Sequence, residues 1–241
     1  MASDTLVRIT LLFVMLLTLG AATCIPLFDW STRKFFRSKL WVKVYWWIPI
    51  FAVFIAALEL GVLAAGIISI FLTLQIVREF WPHRRAAGWY TRTYTATVIV
   101  GITTLPFYFT FSQHAVIDSL LVVGFASPLS DVFAFFLGNY AGRHPLPVQI
   151  NNRKSWEGVL GQIVGALVGV ALLALFVDIP ANWLLGLGIG LASAFGDIAN
   201  SVAKRQLAIK DWGDTIPGHG GILDRCASLS VALVVGLVSL L

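Results

Sequence analysis

The sequence predicts an all-α membrane protein, a polytopic helical bundle of about eight transmembrane helices with its polar site at one membrane interface. Three observations predict this class. Hydrophobic residues make up 58% of the 241 residues and charged residues only 12%, a composition outside the range of soluble domains. Apolar runs of about 20 residues, enough for a helix to cross about 30 Å of hydrocarbon, recur along the chain. Lys and Arg gather on alternate loops.

The apolar runs place the predicted spans in order. They cover residues 7–25, 44–77, 93–112, 115–137, 156–177, 182–201 and 221–241. The first span overlaps a run of twenty uncharged residues, 9–28. This run is longer than a signal-peptide core of about 7 to 15 residues, so we expect a retained span. Residues 44–77 carry one charge, Glu59, over 34 positions. This run is too long for one span, so we expect a helical hairpin that turns near Glu59 and Gly61.

The basic residues support this count of spans. Fifteen of the seventeen Lys and Arg residues lie on loops that follow the first, third, fifth and seventh spans, and only Arg8 and Arg225 lie at helix edges. The fifteen are Arg33, Lys34, Arg37, Lys39, Lys43, Arg78, Arg84, Arg85, Arg92, Arg143, Arg153, Lys154, Lys204, Arg205 and Lys210. The positive-inside rule makes this face cytoplasmic. We therefore expect a multi-pass protein of the cell (inner) membrane, with both ends of the chain on the opposite side.

Charge and cysteine content narrow the function classes. The net charge of +5 is expected to serve loop orientation and contacts with anionic lipids or phosphates, and no nucleic acid partner is expected. Cys24 and Cys226 form no CxxC motif, so neither a disulfide framework nor a zinc site is indicated. We expect one membrane domain, 1–241, with N-terminal helices at 1–115 and the chemistry in 116–241, where acids, glycines and basic residues are interleaved.

Four acids lie within or at the ends of predicted spans, close to the basic loops: Asp131, Glu157, Asp197 and Asp224. An ionisable group in a span costs several kcal/mol unless it is paired, hydrated or bound to metal, so each is a functional candidate. The four acids would form one interfacial site if their helices pack together.

The densest polar stretch is 196–225. On a helix, Asp197, Ser201 and Lys204 stand at i, i+4 and i+7, so one stripe presents a carboxylate, a hydroxyl and an ammonium. A glycine-rich turn follows at 217–221, and its backbone N–H groups at a helix N-terminus favour anions. Asp224 would be a hard oxygen ligand suited to Mg²⁺. Two alternatives stay open: the basic residues are orientation anchors only, and Asp197 is a packing residue.

The same stretch resembles the signature of phosphatidate cytidylyltransferases, also called CDP-diacylglycerol synthases. The matching residues are Ser201, Lys204, Arg205, Lys210, Asp211, Pro217, His219, Gly220, Gly221, Asp224 and Arg225. Two upstream elements of the family are matched by Ser130, Asp131, Gly138 and Gly142, and by Lys154, Trp156, Glu157 and Gly158. The resemblance is strong from about residue 127 to 241 and only topological before that.

The resemblance implies transfer of CMP from CTP to phosphatidate, giving CDP-diacylglycerol and pyrophosphate. For this reaction we assign catalytic roles to Asp197, Asp224, Lys204, Arg205, Lys210, Asp211, His219 and Arg225. We assign substrate-binding roles to Asp131, Lys154, Glu157, Ser201, Gly220 and Gly221. Mg²⁺ would be held by Asp197 and Asp224, with Asp131 as a third ligand or an orienting group; a second cation, a monovalent one included, stays open. His219 would donate to a phosphate oxygen or stabilise the turn.

Two departures from the family pattern keep other functions open. Ala227 stands where the family has an Asp, and Asn151 and Asn152 stand where it usually has Ser-Pro. The expected partners are CTP, phosphatidate and membrane lipids, and a homodimer stays open. The alternatives are CTP-dependent transfer to another lipid phosphate, a non-catalytic relative and an anion transporter.

Overall fold

The computed structural model describes residues 3–111, 113–148, 150–151, 154–216 and 220–241. Within these ranges the chain forms nine α-helices, three short 3-10 segments and, apart from two isolated bridges, no β-structure. The helices are α1 (Ser3–Cys24), α2 (Thr32–Phe36), α3 (Lys39–Leu60), α4 (Val62–Phe80), α5 (Trp89–Thr103), α6 (Gln113–Tyr140), α7 (Trp156–Phe176), α8 (Trp183–Gln206) and α9 (Ile222–Val238). The predicted all-α class is confirmed.

Six of the described helices, α1, α3, α4, α6, α7 and α8, are long and apolar enough to cross a membrane. The chain is therefore an integral membrane protein. Helices α5 and α9 have 15 and 17 residues, so they rise about 22 and about 26 Å, short of the roughly 30 Å hydrocarbon core. All eight long helices lie where spans were predicted, but the number of eight membrane crossings is not confirmed.

The predicted hairpin in 44–77 is confirmed. Helix α3 ends at Leu60, α4 begins at Val62, and Gly61 between them has φ +67°. A residue with a Cβ rarely adopts this backbone conformation, so glycine allows the chain to reverse in a single residue.

Helix α5 ends earlier than the predicted span 93–112, because Pro106 interrupts it. The residue before a proline is disfavoured in the α conformation, and α5 stops at Thr103, after which Leu105–Thr110 continues as a 3-10 segment. The segment brings Tyr108 into the core, where its hydroxyl donates to the backbone oxygen of Leu233 on α9.

Small residues allow the four C-terminal helices to approach one another closely. A Cβ on Gly161 of α7 would lie 2.8 Å from the backbone oxygen of Phe133 on α6, and one on Gly169 would lie 2.8 Å from the Cα of Ala126. Gly196 of α8 faces the backbone of Ala227 on α9 with no room for a Cβ. This last contact brings together the two helices that carry Asp197 and Asp224.

Helices α4 and α5 pack against α9, whereas α1 and α3 lie at the periphery. Only 11% of the span in α1 and 6% of that in α3 is buried, against 61% in α8. The outer helices therefore present apolar surface to the membrane, and the polar residues lie among α4–α9.

Candidate active site

Two lysine–aspartate ion pairs form the centre of the polar cluster. Lys154, in the loop before α7, pairs with the carboxylate of Asp197 on α8 and also donates to its backbone oxygen at 3.2 Å. Lys204, near the end of α8, reaches Asp224 on α9, with Nζ 2.6 Å from Oδ1. Asp197 and Lys204, which were predicted to lie on one stripe of α8, therefore each pair with a residue outside α8.

Asp224 is buried and surrounded by donors. Its side chain is 1% exposed and receives hydrogen bonds from Lys204 Nζ, from the backbone N–H groups of Trp212 (2.9 Å) and Gly221 (3.2 Å), and from Asn200 Nδ2 (3.5 Å). The four donors satisfy the hydrogen-bonding capacity of this buried carboxylate, and Lys204 supplies the opposite charge. Asp224 therefore holds both the Lys204 side chain and the loop that precedes α9.

Asp197 and Asp131 are more accessible. The side chain of Asp197 is 34% exposed and lies 3.5 Å from Gln162 Nε2 of α7. Asp131, on α6, is exposed and accepts a hydrogen bond from Ser228 of α9 at 3.3 Å. The two carboxylates interact electrostatically, and Asp131 also interacts with Lys154. They form the accessible, acidic side of the site.

Glu79, at the end of α4, belongs to the site and was not predicted. It is 6% exposed and accepts hydrogen bonds from Thr215 Oγ1 at 2.5 Å and from the backbone N–H groups of Ile222 and Leu223 at 2.8 Å each. A Cβ on Gly221 would lie 2.5 Å from Glu79 Oε2. The rule applied to the other acids, a charge at the end of an apolar run, would have identified Glu79.

The first N–H groups of α9 are occupied by the protein's own carboxylates. Those of Ile222 and Leu223 donate to Glu79, and that of Gly221 donates to Asp224. A helix N-terminus favours a negative charge, and here Glu79 and Asp224 supply it. The N–H groups of Gly221, Ile222 and Leu223 are therefore not free for a substrate phosphate in this arrangement, and residues 217–219 of the predicted anion-binding turn lie outside the described residues.

The remaining predicted residues of the 196–225 stretch lie around this centre. Arg205, Lys210, Asp211 and Arg225 are exposed. Ser201 is buried, and its hydroxyl donates to the backbone oxygen of Asp197 at 3.0 Å within α8. Gly220 has φ +85°, and a Cβ there would lie 3.3 Å from Asp224 Oδ2. His219 and Pro217 lie outside the described residues.

Glu157 shapes the loop that carries Lys154. Its carboxylate contacts His144 Nδ1 at 2.6 Å and the backbone N–H of His144 at 3.3 Å. The backbone N–H of Leu146 donates to the backbone oxygen of Lys154 at 2.8 Å, and the backbone N–H of Trp156 donates to the backbone oxygen of His144 at 3.0 Å. In this structure Glu157 positions the chain around Lys154.

Residues of α8 place Asp197 and Asp224 near one another. Asn200 and Lys204, three and seven residues after Asp197, both reach Asp224, so Asp197 lies on the face of α8 that meets Asp224. Trp212 is 3% exposed, and its indole N–H donates to Asn200 Oδ1 at 2.7 Å. Tyr94 of α5 stacks on Trp212 with ring centroids 6.5 Å apart.

Among the described residues, no group of three His, Cys, Asp or Glu side chains is arranged to hold a metal ion by itself. Mg²⁺ is usually bound through one or two carboxylates together with water and substrate phosphates. Asp197 and the exposed Asp131 meet this requirement in their chemistry and accessibility. Asp224 would be free for a cation only after Lys204 leaves it. The donor set therefore fits Mg²⁺ better than zinc, which prefers His and Cys.

The profile of the cytidylyltransferase family matches residues 4–240. The chain belongs to the cytidylyltransferase family. The "Phosphatidate cytidylyltransferase" of Brucella abortus biovar 1 (strain 9-941) is 29% identical over 223 residues, which cover 85% of this chain and 76% of the relative. The protein with the same name from Mycobacterium tuberculosis (strain ATCC 25618 / H37Rv) is 40% identical over 99 residues, 40% of this chain and 30% of the relative.

Membership of the family makes the chain a nucleotidyltransferase and removes the basis for the anion-transporter alternative. The departure from the family signature at Ala227 lies at the α8–α9 contact, where this residue is 1% exposed. The next residue, Ser228, bonds to Asp131. The family's extra acid would therefore lie close to the existing carboxylates.

Proposed function

We propose that this protein transfers CMP from CTP to the phosphate of phosphatidate, forming CDP-diacylglycerol and releasing pyrophosphate. One observation carries the proposal. A chain of the cytidylyltransferase family carries two lysine-paired aspartates, Asp197 and Asp224, on the adjoining helices α8 and α9.

The reaction needs no nucleophile from the protein. An oxygen of the phosphatidate phosphate attacks the α-phosphorus of CTP, so a new P–O bond forms while the bond to the β-phosphate oxygen breaks and pyrophosphate leaves with that electron pair. Positioning and charge neutralisation are the main requirements, because the two reactants are anions that repel each other. A cluster of lysines, arginines and carboxylates suits this task.

Mg²⁺ would be held by Asp197 and Asp131, and by Asp224 if Lys204 releases it. When bound, the ion would neutralise phosphate charge on both reactants. Asp131 and Asp197 supply accessible carboxylate oxygens beside Lys154, and hard oxygen ligands of this kind support binding of Mg²⁺ together with substrate phosphates.

The cations would bind the phosphates. Lys204 is held by Asp224 at the inner end of the site, whereas Arg205 and Arg225 are exposed. We assign these three to phosphate oxygens at the reacting centre. Lys154 and Lys210 would bind the β- and γ-phosphates of CTP and the departing pyrophosphate. Asp224 and Glu157 act on substrate indirectly here, by orienting Lys204 and the loop of Lys154.

The membrane placement follows from the basic loops. The site residues lie at the ends of α4, α7, α8 and α9 that adjoin those loops, and the positive-inside rule puts this face in the cytoplasm. Phosphatidate would keep its acyl chains in the bilayer while its phosphate reaches the interface, and CTP would arrive from the cytoplasm. We therefore propose a location in the cell membrane with a cytoplasmic active site.

The test is a transfer assay with purified protein in detergent–lipid micelles, CTP labelled at the α-phosphate, phosphatidate and Mg²⁺. We expect label in the organic phase as CDP-diacylglycerol, and none after chelation with EDTA. A panel of other lipid phosphates distinguishes the acceptor, since label found only on one of those lipids contradicts the phosphatidate assignment. No labelled lipid with any acceptor would indicate a non-catalytic relative.

A further inference from the structure

Tyr94 carries a buried hydroxyl with no hydrogen-bond partner. The residue is 7% exposed, and its oxygen finds no donor or acceptor in the part of the chain that the structure describes. Buried hydroxyls in folded proteins nearly always have a partner, and an exception points to strain, to function or to a bound molecule. The stacking of its ring on Trp212 holds the side chain in place.

The ring of Tyr94 lies next to Asp224 through Trp212. Tyr94 stacks on Trp212, and the backbone N–H of Trp212 donates to Asp224 at 2.9 Å, yet neither Asp224 nor Asp197 accepts a hydrogen bond from the Tyr94 hydroxyl. The carboxylate of Asp224 accepts hydrogen bonds from four other donors, of which Lys204 is the nearest at 2.6 Å, and the carboxylate of Asp197 forms an ion pair with Lys154. The hydroxyl is therefore a fixed donor at the site that the protein's own acceptors leave unused.

We propose that the Tyr94 hydroxyl donates a hydrogen bond to a phosphoryl oxygen of the substrate bound between Asp197 and Asp224. The inference rests on the proposed function, because it takes the occupant of this space to be a phosphate ester. A phosphoryl oxygen satisfies the orphan donor, and the paired lysines, Lys154 and Lys204, provide the positive charge that such an anion needs beside two carboxylates. Tyr94 then contributes a substrate contact from α5, in the N-terminal part of the chain.

The test is Tyr94→Phe, which keeps the ring and its stacking on Trp212. Binding is measured by calorimetry in the presence of Mg²⁺ with two probes, a CTP analogue whose α,β-bridging oxygen is replaced by methylene and phosphatidate in nanodiscs. We expect the affinity for one probe to fall by about tenfold or more, the order expected for a hydrogen bond to a charged acceptor. The probe that loses affinity identifies which phosphate Tyr94 contacts.

Tyr108→Phe is the matched control. Tyr108 is a fully buried tyrosine whose hydroxyl already donates to Leu233, so its loss should lower the melting temperature of the ligand-free protein and leave both affinities unchanged. Tyr94→Phe should show the opposite pattern, with a melting temperature no lower than that of the wild type and weaker binding.

Three results would overturn the proposal. Tyr94→Phe that binds both probes as tightly as wild type shows that the hydroxyl does not contact a phosphate. Tyr94→Phe that melts at a lower temperature without ligand, or fails to fold, shows that the hydroxyl has a structural partner. If the wild-type protein binds neither probe, both the proposed function and this inference are overturned. If the wild type binds the probes and transfers CMP, and Tyr94→Phe does both equally well, only this inference is overturned.

Discussion

Glu79→Gln tests whether a carboxylate from α4 holds the N-terminus of α9 in place. Glu79 joins parts of the chain that lie far apart in sequence, since its partners Ile222 and Leu223 are 143 and 144 residues away. The variant keeps the size of the side chain and replaces one acceptor oxygen by an NH₂ group. That group cannot accept from a backbone N–H, so one of the two N–H groups loses its partner.

The expected magnitude follows from these contacts. Leaving one buried N–H unsatisfied costs about 1–3 kcal/mol. Loss of the negative charge at the helix N-terminus adds about 0.3–1 kcal/mol. We therefore expect Glu79→Gln to lower the free energy of unfolding by about 1–4 kcal/mol. CMP transfer should also fall, because Asp224 lies in the first turn of α9.

The assay is SDS-induced unfolding in mixed micelles followed by tryptophan fluorescence, with CMP transfer measured on the folded fraction. Asp29→Asn is the control, since Asp29 pairs with Lys34 at 2.9 Å on the surface, with the two side chains 86% and 62% exposed. An exposed ion pair contributes less than about 1 kcal/mol. Wild-type stability together with wild-type transfer in Glu79→Gln would show that α9 is positioned without this carboxylate.

Two further predictions concern the α8–α9 contact. Lys204→Met should lower the free energy of unfolding by about 3–5 kcal/mol, since it leaves the buried Asp224 carboxylate without its cation. The double variant with Asp224→Asn should regain much of this stability in the same SDS titration. If the double variant regains no stability, the two residues are not energetically coupled. Gly196→Ala should also destabilise the protein and reduce transfer, because the added Cβ has no room against the backbone of Ala227; an equally stable and active variant would contradict the close approach of the two helices.

The overall architecture was predictable because membrane spans follow a rule that acts along the sequence. About 20 apolar residues are needed wherever a helix crosses the bilayer, and this length placed the long helices and the reversal at Gly61. The end of α5 was predicted too late, because the apolar run continues past Pro106 while the helix does not. Whether the short helices α5 and α9 cross the bilayer depends on packing, which hydropathy does not describe.

The site was predictable only in part. The signature residues of α8 and α9 are close in sequence, so their spacing identified Asp197, Lys204 and Asp224 as candidates. Glu79 could have been a candidate as an acid at the end of an apolar run, but its partners on α9 lie more than 100 residues away. Tyr94 contacts Trp212 across more than 100 residues, and no local pattern distinguishes it from a core aromatic residue. Their roles became evident only when α4 and α5 packed against α9.

The partners of each charge were equally unpredictable. The helical spacing of Asp197 and Lys204 suggested a shared stripe, but each pairs with a residue of another element. The glycine turn before α9 suggested an open anion site, but the N–H groups of Gly221, Ile222 and Leu223 donate to Asp224 and Glu79. In both cases the sequence predicted the chemistry of a group, and the tertiary packing decided which group it meets.

We propose that carboxylates of this site bind a divalent cation that brings two phosphates together. Electron paramagnetic resonance of Mn²⁺, used in place of Mg²⁺, measures this most directly when the purified protein is titrated with and without CTP. We predict that wild-type protein binds Mn²⁺ more tightly with CTP than without it, and that folded Asp197→Asn loses this binding and CMP transfer together. An Asp197→Asn protein that binds Mn²⁺ and transfers CMP like the wild type would contradict the account.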